Sequence, residues 1–183
     1  MLLSLFGAAS LLVSVHSDTA KSLAIVPTPT VNRTPVIGIG NAVMADSIVV
    51  EKKKRTLTLF LAGKPVRAYK VALGTQPVGD KVRAGDNRTP EGTFFIDFKN
   101  LDSKYHKALH ISYPDAAHAA RASKLGVKPG SNIMIHGLPE QFAGLGQEHR
   151  TFDWTEGCIA VTNKEVDEIF RAIPNGAAIQ IKP

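Results

Sequence analysis

Cys158 and His136 are the two side chains whose types and placement could do chemistry together. Cys158 is the only cysteine in 183 residues, and it lies 22 positions after His136. Each stands beside a glycine, Gly157 or Gly137, at the edge of a short apolar run. The thiolate is the nucleophilic form of cysteine, but a free thiol with a pKa near ~8.5 is only slightly ionised at neutral pH. A histidine within hydrogen-bond reach can take that proton, so the pattern predicts a thiolate–imidazole pair.

The two glycines predict main-chain roles around this pair. Gly137 lets the backbone approach the imidazole, so that its carbonyl can orient the ring. Gly157 precedes the nucleophile and lets backbone N–H groups at Gly157 and Cys158 face the oxyanion of a tetrahedral intermediate. One such donor is typically worth ~3 kcal/mol in the transition state.

Other interpretations of the same residues stay open at this point. His149, in the polar loop between the pair, is a competing base. His136, His149 and Cys158 would also make a three-ligand zinc site, although no paired motif such as C-x-x-C supports one. A buried, inert cysteine is the plainest alternative. Because no paired-ligand motif supports a zinc site, we expect no metal. We take His136, rather than His149, as the base.

Strands dominate the elements that must position these residues. Alternating or β-branched runs predict strands at 47–51, 56–61, 66–73, 93–98, 109–113, 133–135 and 178–181. Helices are predicted at 115–125, with Asp115 as its N-cap, and at 163–173, with Asn163 as its N-cap. The fold class is therefore mainly β with one or two helices.

The amino-terminal residues predict export. Residues 1–20 resemble a signal peptide: the run from Met1 to Val15 is apolar and shorter than the ~20 residues of a spanning helix, and a cut after Ser17 suits the residues before it. No Lys or Arg precedes this run, so an uncleaved anchor remains an alternative. Residues 21–45 form a Pro- and Thr-rich linker, and residues 46–183 are enough for one domain.

The charge pattern gives no support to nucleic-acid binding. Lys and Arg outnumber Asp and Glu by 22 to 16, a net charge of +6, and the one dense basic run is at 52–55. Neither a nucleic-acid-binding motif nor clustered aromatic residues accompany that run, so we interpret it as a solvated turn. A basic surface also suits an anionic polymer such as a cell wall.

Several motifs in order resemble the YkuD-type L,D-transpeptidase catalytic domain. They are His136-Gly137, then Thr155-Glu156-Gly157-Cys158, together with the earlier segment Thr89-Pro90-Glu91-Gly92-Thr93-Phe94 and the first hairpin at 59–64. The resemblance covers about Ser47 to Pro183. It implies a mixed β-sheet sandwich or barrel, a cysteine acyl-enzyme mechanism without a cofactor, and a backbone carbonyl as the third member beside Cys158 and His136.

Two departures from the family pattern affect the expected substrate contacts. Glu156 stands where relatives often have a histidine, and Ala160 stands where they often have Arg or Asn. Arg88 and Arg150 are candidates to replace the missing polar contact. The side chains expected to bind substrate are Thr155, Trp154, Tyr113 and Arg88.

The resemblance implies an exported enzyme of the periplasm or cell envelope that remodels peptidoglycan. Cys158 would attack the third residue of a stem tetrapeptide, release the fourth, and pass the acyl group to an amine. The acceptor would be a second stem or a lysine of an envelope lipoprotein. A hydrolase on the same site and a non-catalytic wall-binding module are the alternatives. Carbapenem-type inhibitors are expected to acylate the cysteine.

Overall fold

The computed structural model describes residues 43–183, which form one curled sheet with two α-helices and a 3₁₀ segment. The strands are β1 (Ser47–Glu51), β2 (Thr56–Leu61), β3 (Lys64–Lys70), β4 (Gly92–Ser103), β5 (His106–Ile111), β6 (Met134–His136), β7 (Ile159–Ala160) and β8 (Ala178–Lys182). The helices are α1 (Ala116–Lys124) and α2 (Asn163–Ala172), and the 3₁₀ segment is Glu140–Arg150. The prediction of a mainly β domain is confirmed.

The eight described strands follow the order β3-β2-β1-β8-β4-β5-β6-β7. β1 with β8 and β6 with β7 run parallel, and the other neighbours are antiparallel. After β3 the chain crosses to the far end of the sheet, where Ala72 exchanges backbone hydrogen bonds of 3.0 and 2.9 Å with Ala160 of β7. The sheet therefore curls back on itself, in agreement with the expected mixed sandwich or barrel.

The core lies inside this curl and explains why the strands alternate. Ile48 and Val50 of β1 and Leu57 and Leu59 of β2 are almost fully buried, while the residues between them are partly exposed. Burying one such side chain contributes roughly 1.5–3 kcal/mol. α2 packs an apolar stripe onto the same core, as its period of 3.6 predicts.

α2 begins with a capping box, one residue before the predicted cap. Thr162 Oγ1 accepts a hydrogen bond from the Glu165 amide at 3.3 Å, and the Glu165 carboxylate accepts one from the Thr162 amide at 2.9 Å. The prediction of Asn163 as N-cap is therefore wrong. Asn163 instead directs its Oδ1 toward the loop after β6, where it accepts from the Leu138 amide at 2.6 Å.

The basic run at 52–55 is only partly the solvated turn that we expected. Lys52 is 2% exposed and its Nζ donates to Glu91 at 2.8 Å, as well as to two backbone carbonyls. Arg55 forms a salt bridge of 2.6 Å with Asp153. Half of the run therefore holds loops of the domain together, because these long side chains reach inward.

The predicted signal peptide at 1–20 and nearly all of the predicted linker at 21–45 lie outside the described residues. Ala45, at the end of that linker, is buried, and its amide donates to the Ala172 carbonyl at 3.2 Å. Within residues 43–183, none of the helices has the length and apolar character needed to cross a bilayer.

Candidate active site

Cys158 and His136 come from neighbouring parallel strands that share one register. Ile135 pairs with Ile159, and His136 pairs with Ala160. Cys158 lies just before β7, two positions from the partner of His136. Strands ~4.8 Å apart with a rise of ~3.3 Å per residue place the two Cα atoms about 8 Å apart, and an offset of two keeps both side chains on the same face. The predicted pair is therefore brought together diagonally across β6 and β7.

His136 is held in the tautomer that a general base needs. Its Nδ1 lies 2.7 Å from the Gly137 carbonyl oxygen. Because a carbonyl can only accept, Nδ1 carries the proton and Nε2 keeps its lone pair. The ring is 2% exposed, with Tyr105 at 4.4 Å and Trp154 at 5.8 Å between ring centroids. Burial lowers the pKa of His136 to about 4, so the ring is neutral at neutral pH.

Cys158 is a free, half-buried thiol. Its Sγ lies 3.5 Å from the Asn132 carbonyl oxygen, which accepts the weak S–H bond. Burial raises the pKa of the thiol, and the Met134 backbone amide and the Lys81 ammonium oppose that shift. With a raised thiol pKa and a lowered imidazole pKa, the resting pair is neutral. The protonated thiol, rather than the thiolate predicted from the sequence, is therefore the favoured resting form of Cys158.

Gly137 is required by the close packing behind His136. A Cβ at this position would lie 2.5 Å from Asn163 Oδ1 and 3.0 Å from the Tyr105 carbonyl oxygen. Asn163 therefore fixes the His136–Gly137 turn from the side, together with its hydrogen bond to Leu138. The sequence indicated the glycine but not these two neighbours, which come from distant segments.

Thr155 and Gly157 brace the turn that carries Cys158, the predicted nucleophile. The Thr155 hydroxyl donates to the Cys158 carbonyl at 2.7 Å and accepts from the Gly157 amide at 3.1 Å. Backbone groups of the turn thus engage the Thr155 hydroxyl as donor and as acceptor, so its prediction as a substrate-binding residue is wrong. The expectation that the Gly157 amide faces an oxyanion is also wrong, since Thr155 accepts that N–H. The Cys158 amide remains as the candidate oxyanion donor.

Gly157 also has a steric reason to be glycine. Its φ is +131°, and a Cβ would lie 2.6 Å from the Arg88 carbonyl oxygen. The backbone at 87–88 therefore packs directly on the nucleophile turn. A side chain at Gly157 would push the two apart.

His149 and Trp154 contact each other beside His136. His149 is 3% exposed, and the Trp154 indole N–H donates to its Nδ1 at 3.3 Å. This bond occupies the lone pair that a base would use, so the geometry favours His136. Burial and the nearby Arg150 lower the pKa of His149 to about 4. Across residues 43–183 no cluster of three or more His, Cys, Asp and Glu side chains is arranged to hold a metal ion.

The match to a known family agrees with this arrangement. The sequence model of the YkuD family, described as the L,D-transpeptidase catalytic domain, matches residues 45–181. The chain belongs to the YkuD family. The resemblance inferred from its motifs is thereby confirmed, and the matched span includes Cys158 and His136.

Relatives in two bacteria extend this match. YafK of Escherichia coli (strain K12), named as a candidate L,D-transpeptidase, is 31% identical over 142 residues, which cover 74% of this chain and 50% of YafK. YqjB of Bacillus subtilis (strain 168), named in the same way, is 29% identical over 136 residues, covering 73% of this chain and 69% of YqjB. The chain thus spans about half the length of YafK.

Solved structures share the fold. The helical cell shape determining protein Pgp2 of Campylobacter jejuni superposes with a TM-score of 0.56 at 23% identity, covering 80% of this chain and 53% of Pgp2. Bd1075 of Bdellovibrio bacteriovorus superposes with a TM-score of 0.50 at 21% identity, covering 78% of this chain and 49% of Bd1075. These similarities support the YkuD fold of the described domain.

Tyr113 does not line the site of this YkuD domain. It is 3% exposed, its hydroxyl donates to the Pro129 carbonyl at 3.0 Å, and its ring meets Phe94 edge-on at 5.9 Å. Burial raises the pKa of Tyr113 to about 12. The prediction of Tyr113 as a substrate-binding residue is wrong, because the segment after β5 directs the ring into the core.

Arg88 and Arg150, the two candidates for the polar substrate contact that Ala160 lacks, differ in whether their side chains are free to bind a substrate. Arg150 is engaged by both carboxylate oxygens of Glu165, at 2.9 and 2.8 Å, so its prediction as a substrate contact is wrong. Arg88 lines a polar cavity of about 410 Å³ and stays a predicted substrate contact. Ala160 itself is fully buried in the ladder of β7.

An apolar groove of about 610 Å³ lies next to the two rings that contact His136. Its walls include Tyr105 and Trp154, which both contact the His136 ring, and the exposed rings of Phe142 and Phe152. Trp154 thus anchors the loop and lines the groove, which keeps it as a predicted substrate contact. Tyr105 was missed in the sequence because only the β4–β5 hairpin brings it to β6.

Proposed function

We propose that this chain is a peptidoglycan L,D-transpeptidase with Cys158 as nucleophile and His136 as base. The observation that carries the proposal is the orientation of the imidazole. Its Nδ1 donates to the Gly137 carbonyl at 2.7 Å, which leaves Nε2 free on the face that it shares with the thiol. Membership of the YkuD family supports the same chemistry.

Acylation begins with a neutral pair. The Sγ proton passes to Nε2 of His136 as Sγ forms a bond to the carbonyl carbon of the third stem residue. The Cys158 amide stabilises the oxyanion. When the intermediate collapses, the carbon–nitrogen bond breaks and Nε2 returns its proton to the amine of the departing D-alanine, which leaves a thioester on Cys158.

Deacylation reverses these roles. An acceptor amine gives its proton to Nε2 while its nitrogen attacks the thioester, and the sulfur leaves with that proton as a thiol. The apolar groove adjoins His136 through Tyr105 and Trp154. We place the acceptor there, because the two rings that contact His136 also line the groove.

The proposed partners are stem peptides as donor and acceptor, with a lysine of an envelope lipoprotein as the other acceptor. The chemistry requires no cofactor. We also propose that residues 1–20 direct export to the periplasm or cell envelope and that the linker at 21–45 gives the domain reach. No nucleic acid is expected as a partner. A carbapenem is expected to acylate Cys158, since its lactam carbonyl offers the same bond to the thiol.

Product analysis tests this function. Purified protein is incubated with tetrapeptide muropeptides, and the products are separated by mass, with Cys158→Ala as the matched control. We expect D-alanine release and cross-linked dimers from the native protein, and neither product from the variant. Tripeptides alone would identify the hydrolase, and adducts that form only with a lysine peptide would identify a protein acceptor. Binding to sacculi without any product would identify the wall-binding module and contradict the proposal.

A further inference from the structure

Two buried lysines hold the loop that packs on the nucleophile turn, and they differ in how their ammonium groups are used. Lys52 is 2% exposed, and its Nζ has three acceptors, at 2.6, 2.9 and 2.8 Å. Lys81 is 3% exposed, and within the described residues Asp86 Oδ1, at 2.7 Å, is the one acceptor of its Nζ. An ammonium has three donors, and buried donors are normally satisfied. Lys81 therefore pairs its charge with Asp86 and has donor capacity that its contacts within residues 43–183 do not use.

Asp86 ties Lys81 to the backbone beside the site. Its carboxylate also accepts from the amides of Val82, Arg83 and Arg88, at 2.7, 3.0 and 3.1 Å. The Asp86 carboxylate is only 10% exposed. These bonds close the loop and fix the position of the Arg88 backbone.

That backbone forms a wall of the nucleophile turn. The Arg88 carbonyl approaches Gly157 so closely that a Cβ there would lie 2.6 Å away, and the Asn87 carbonyl would lie 2.1 Å from a Cβ at Gly74. The amide of Gln76 donates to the same Asn87 carbonyl at 3.1 Å. Main chain therefore packs on main chain from the loop to the residue before Cys158.

Lys81 and Cys158 also approach one further segment of the chain. The Lys81 side chain packs on Gly130, where a Cβ would lie 3.2 Å from Cε. The Cys158 Sγ bonds to the carbonyl of Asn132, two residues later. The Lys81 side chain and the Cys158 sulfur thus contact the same short stretch before β6. Burial raises the pKa of the Cys158 thiol and the Glu156 carboxylate adds to that shift, whereas the positive charges of Lys81 and Lys104 lower it.

We propose that Lys81, held by Asp86, is a positioning residue that supplies a fixed positive charge to the Cys158 site. Its task is to stabilise the sulfur when the thiol loses its proton. Lys52 also anchors this loop, but we assign it no effect on the ionisation of Cys158. The proposal deepens the proposed function, but it concerns the ionisation of one thiol and can be tested without turnover.

Alkylation of the single thiol measures this directly. Iodoacetamide reacts with the thiolate and loses iodide, and every adduct reports on Cys158 because the 183 residues hold one cysteine. Full-length Lys81→Met should move the pH midpoint of alkylation upward and slow the reaction at pH 7 by about threefold or more, the change expected for half a pKa unit. Lys52→Met is the matched control: it also removes a buried ammonium from this loop, and it should leave the midpoint unchanged.

Asp86→Asn provides a test in the opposite direction. It keeps the ammonium and removes the negative charge beside it, so the alkylation midpoint should move downward. An unchanged midpoint in Lys81→Met overturns the proposal, as does an equal upward shift in Lys52→Met, which would indicate a loosened loop. If circular dichroism shows that Lys81→Met does not fold, Asp86→Asn becomes the deciding variant. An alkylation midpoint that moves upward or stays unchanged in Asp86→Asn then refutes the proposed role of Lys81. Absence of muropeptide turnover in the native protein would instead count against the proposed function alone.

Discussion

Acidification should destabilise the domain through His136 before it affects the carboxylates. The pKa of this buried imidazole falls from 6.5 to about 4 in the folded state. The unfolded chain therefore binds a proton as the pH drops below 6.5, while the folded chain resists it. The stabilisation is fully present above pH 6.5, is lost as the pH falls toward 4, and changes no further below that.

The size of the effect follows from the shift. A change from 6.5 to about 4, at ~1.4 kcal/mol per unit, corresponds to about 3 kcal/mol of unfolding free energy. His149 is also buried, with a pKa of about 4, so it contributes to the unfolding free energy over the same pH range. The combined contribution of the two rings is smaller than the sum of their separate values, because part of the lowered pKa of His136 is repulsion by charged His149. Carboxylates such as Asp86, with its pKa lowered to about 2, lose their contribution only at lower pH.

Urea unfolding at a series of pH values measures this dependence. Trp154 is the only tryptophan in the 183 residues and its ring meets His136 at 5.8 Å, so its fluorescence reports the transition. The native chain should lose several kcal/mol between pH 6.5 and 4, and His136→Gln should lose markedly less. A free energy of unfolding that stays constant across this range, or an equal slope in the variant, would show that the ring is not held neutral by burial.

Two substitutions test the supports of the site. Gly157→Ala forces a Cβ to within 2.6 Å of the Arg88 carbonyl oxygen at a φ of +131°. It should cost about 1–3 kcal/mol of stability in thermal melts and most of the activity in turnover assays. The control Gly144→Ala, whose Cβ would have nothing within 4 Å, should change neither stability nor activity. Equal effects would contradict the steric role. Asp153→Asn weakens the bonds of 3.0 and 2.6 Å that Arg55 donates, and chemical unfolding should show a loss of about 2 kcal/mol. An unchanged midpoint would show that this salt bridge adds nothing.

The features that local pattern decides were predictable from the sequence. β1 is a short β-branched run, β2 partly alternates, and α2 has an apolar stripe. The observed bounds of all three lie within a residue of the predicted ones. The glycines beside Cys158 and His136 indicated the site, because a glycine at such a position allows other main-chain atoms to pack closely against it. By contrast, β4 runs from Gly92 to Ser103 and exceeds its predicted range, because pairing with β5 extends it through polar residues.

Two kinds of site feature could not be predicted from the sequence: the direction in which a side chain points, and contacts between residues that are far apart in sequence. Thr155 and Tyr113 have polar groups suited to a ligand, but the fold directs both inward, where backbone partners occupy their hydroxyls. Tyr105 and Asn163 contact the His136–Gly137 turn from segments far away in sequence. No local pattern distinguishes such residues from ordinary surface positions, and the same holds for Lys81.

The most direct test of the central claim is the intact mass of the protein after exposure to a carbapenem. Sγ of Cys158 should add to the lactam carbonyl as the ring carbon–nitrogen bond opens, and His136 should pass the thiol proton to that nitrogen. We expect one added drug mass on the native chain, none on Cys158→Ala, and acylation slowed ~10²-fold or more in His136→Ala but much less in His149→Ala. An adduct that persists in Cys158→Ala, or a larger loss in His149→Ala than in His136→Ala, would contradict the assignment of nucleophile and base.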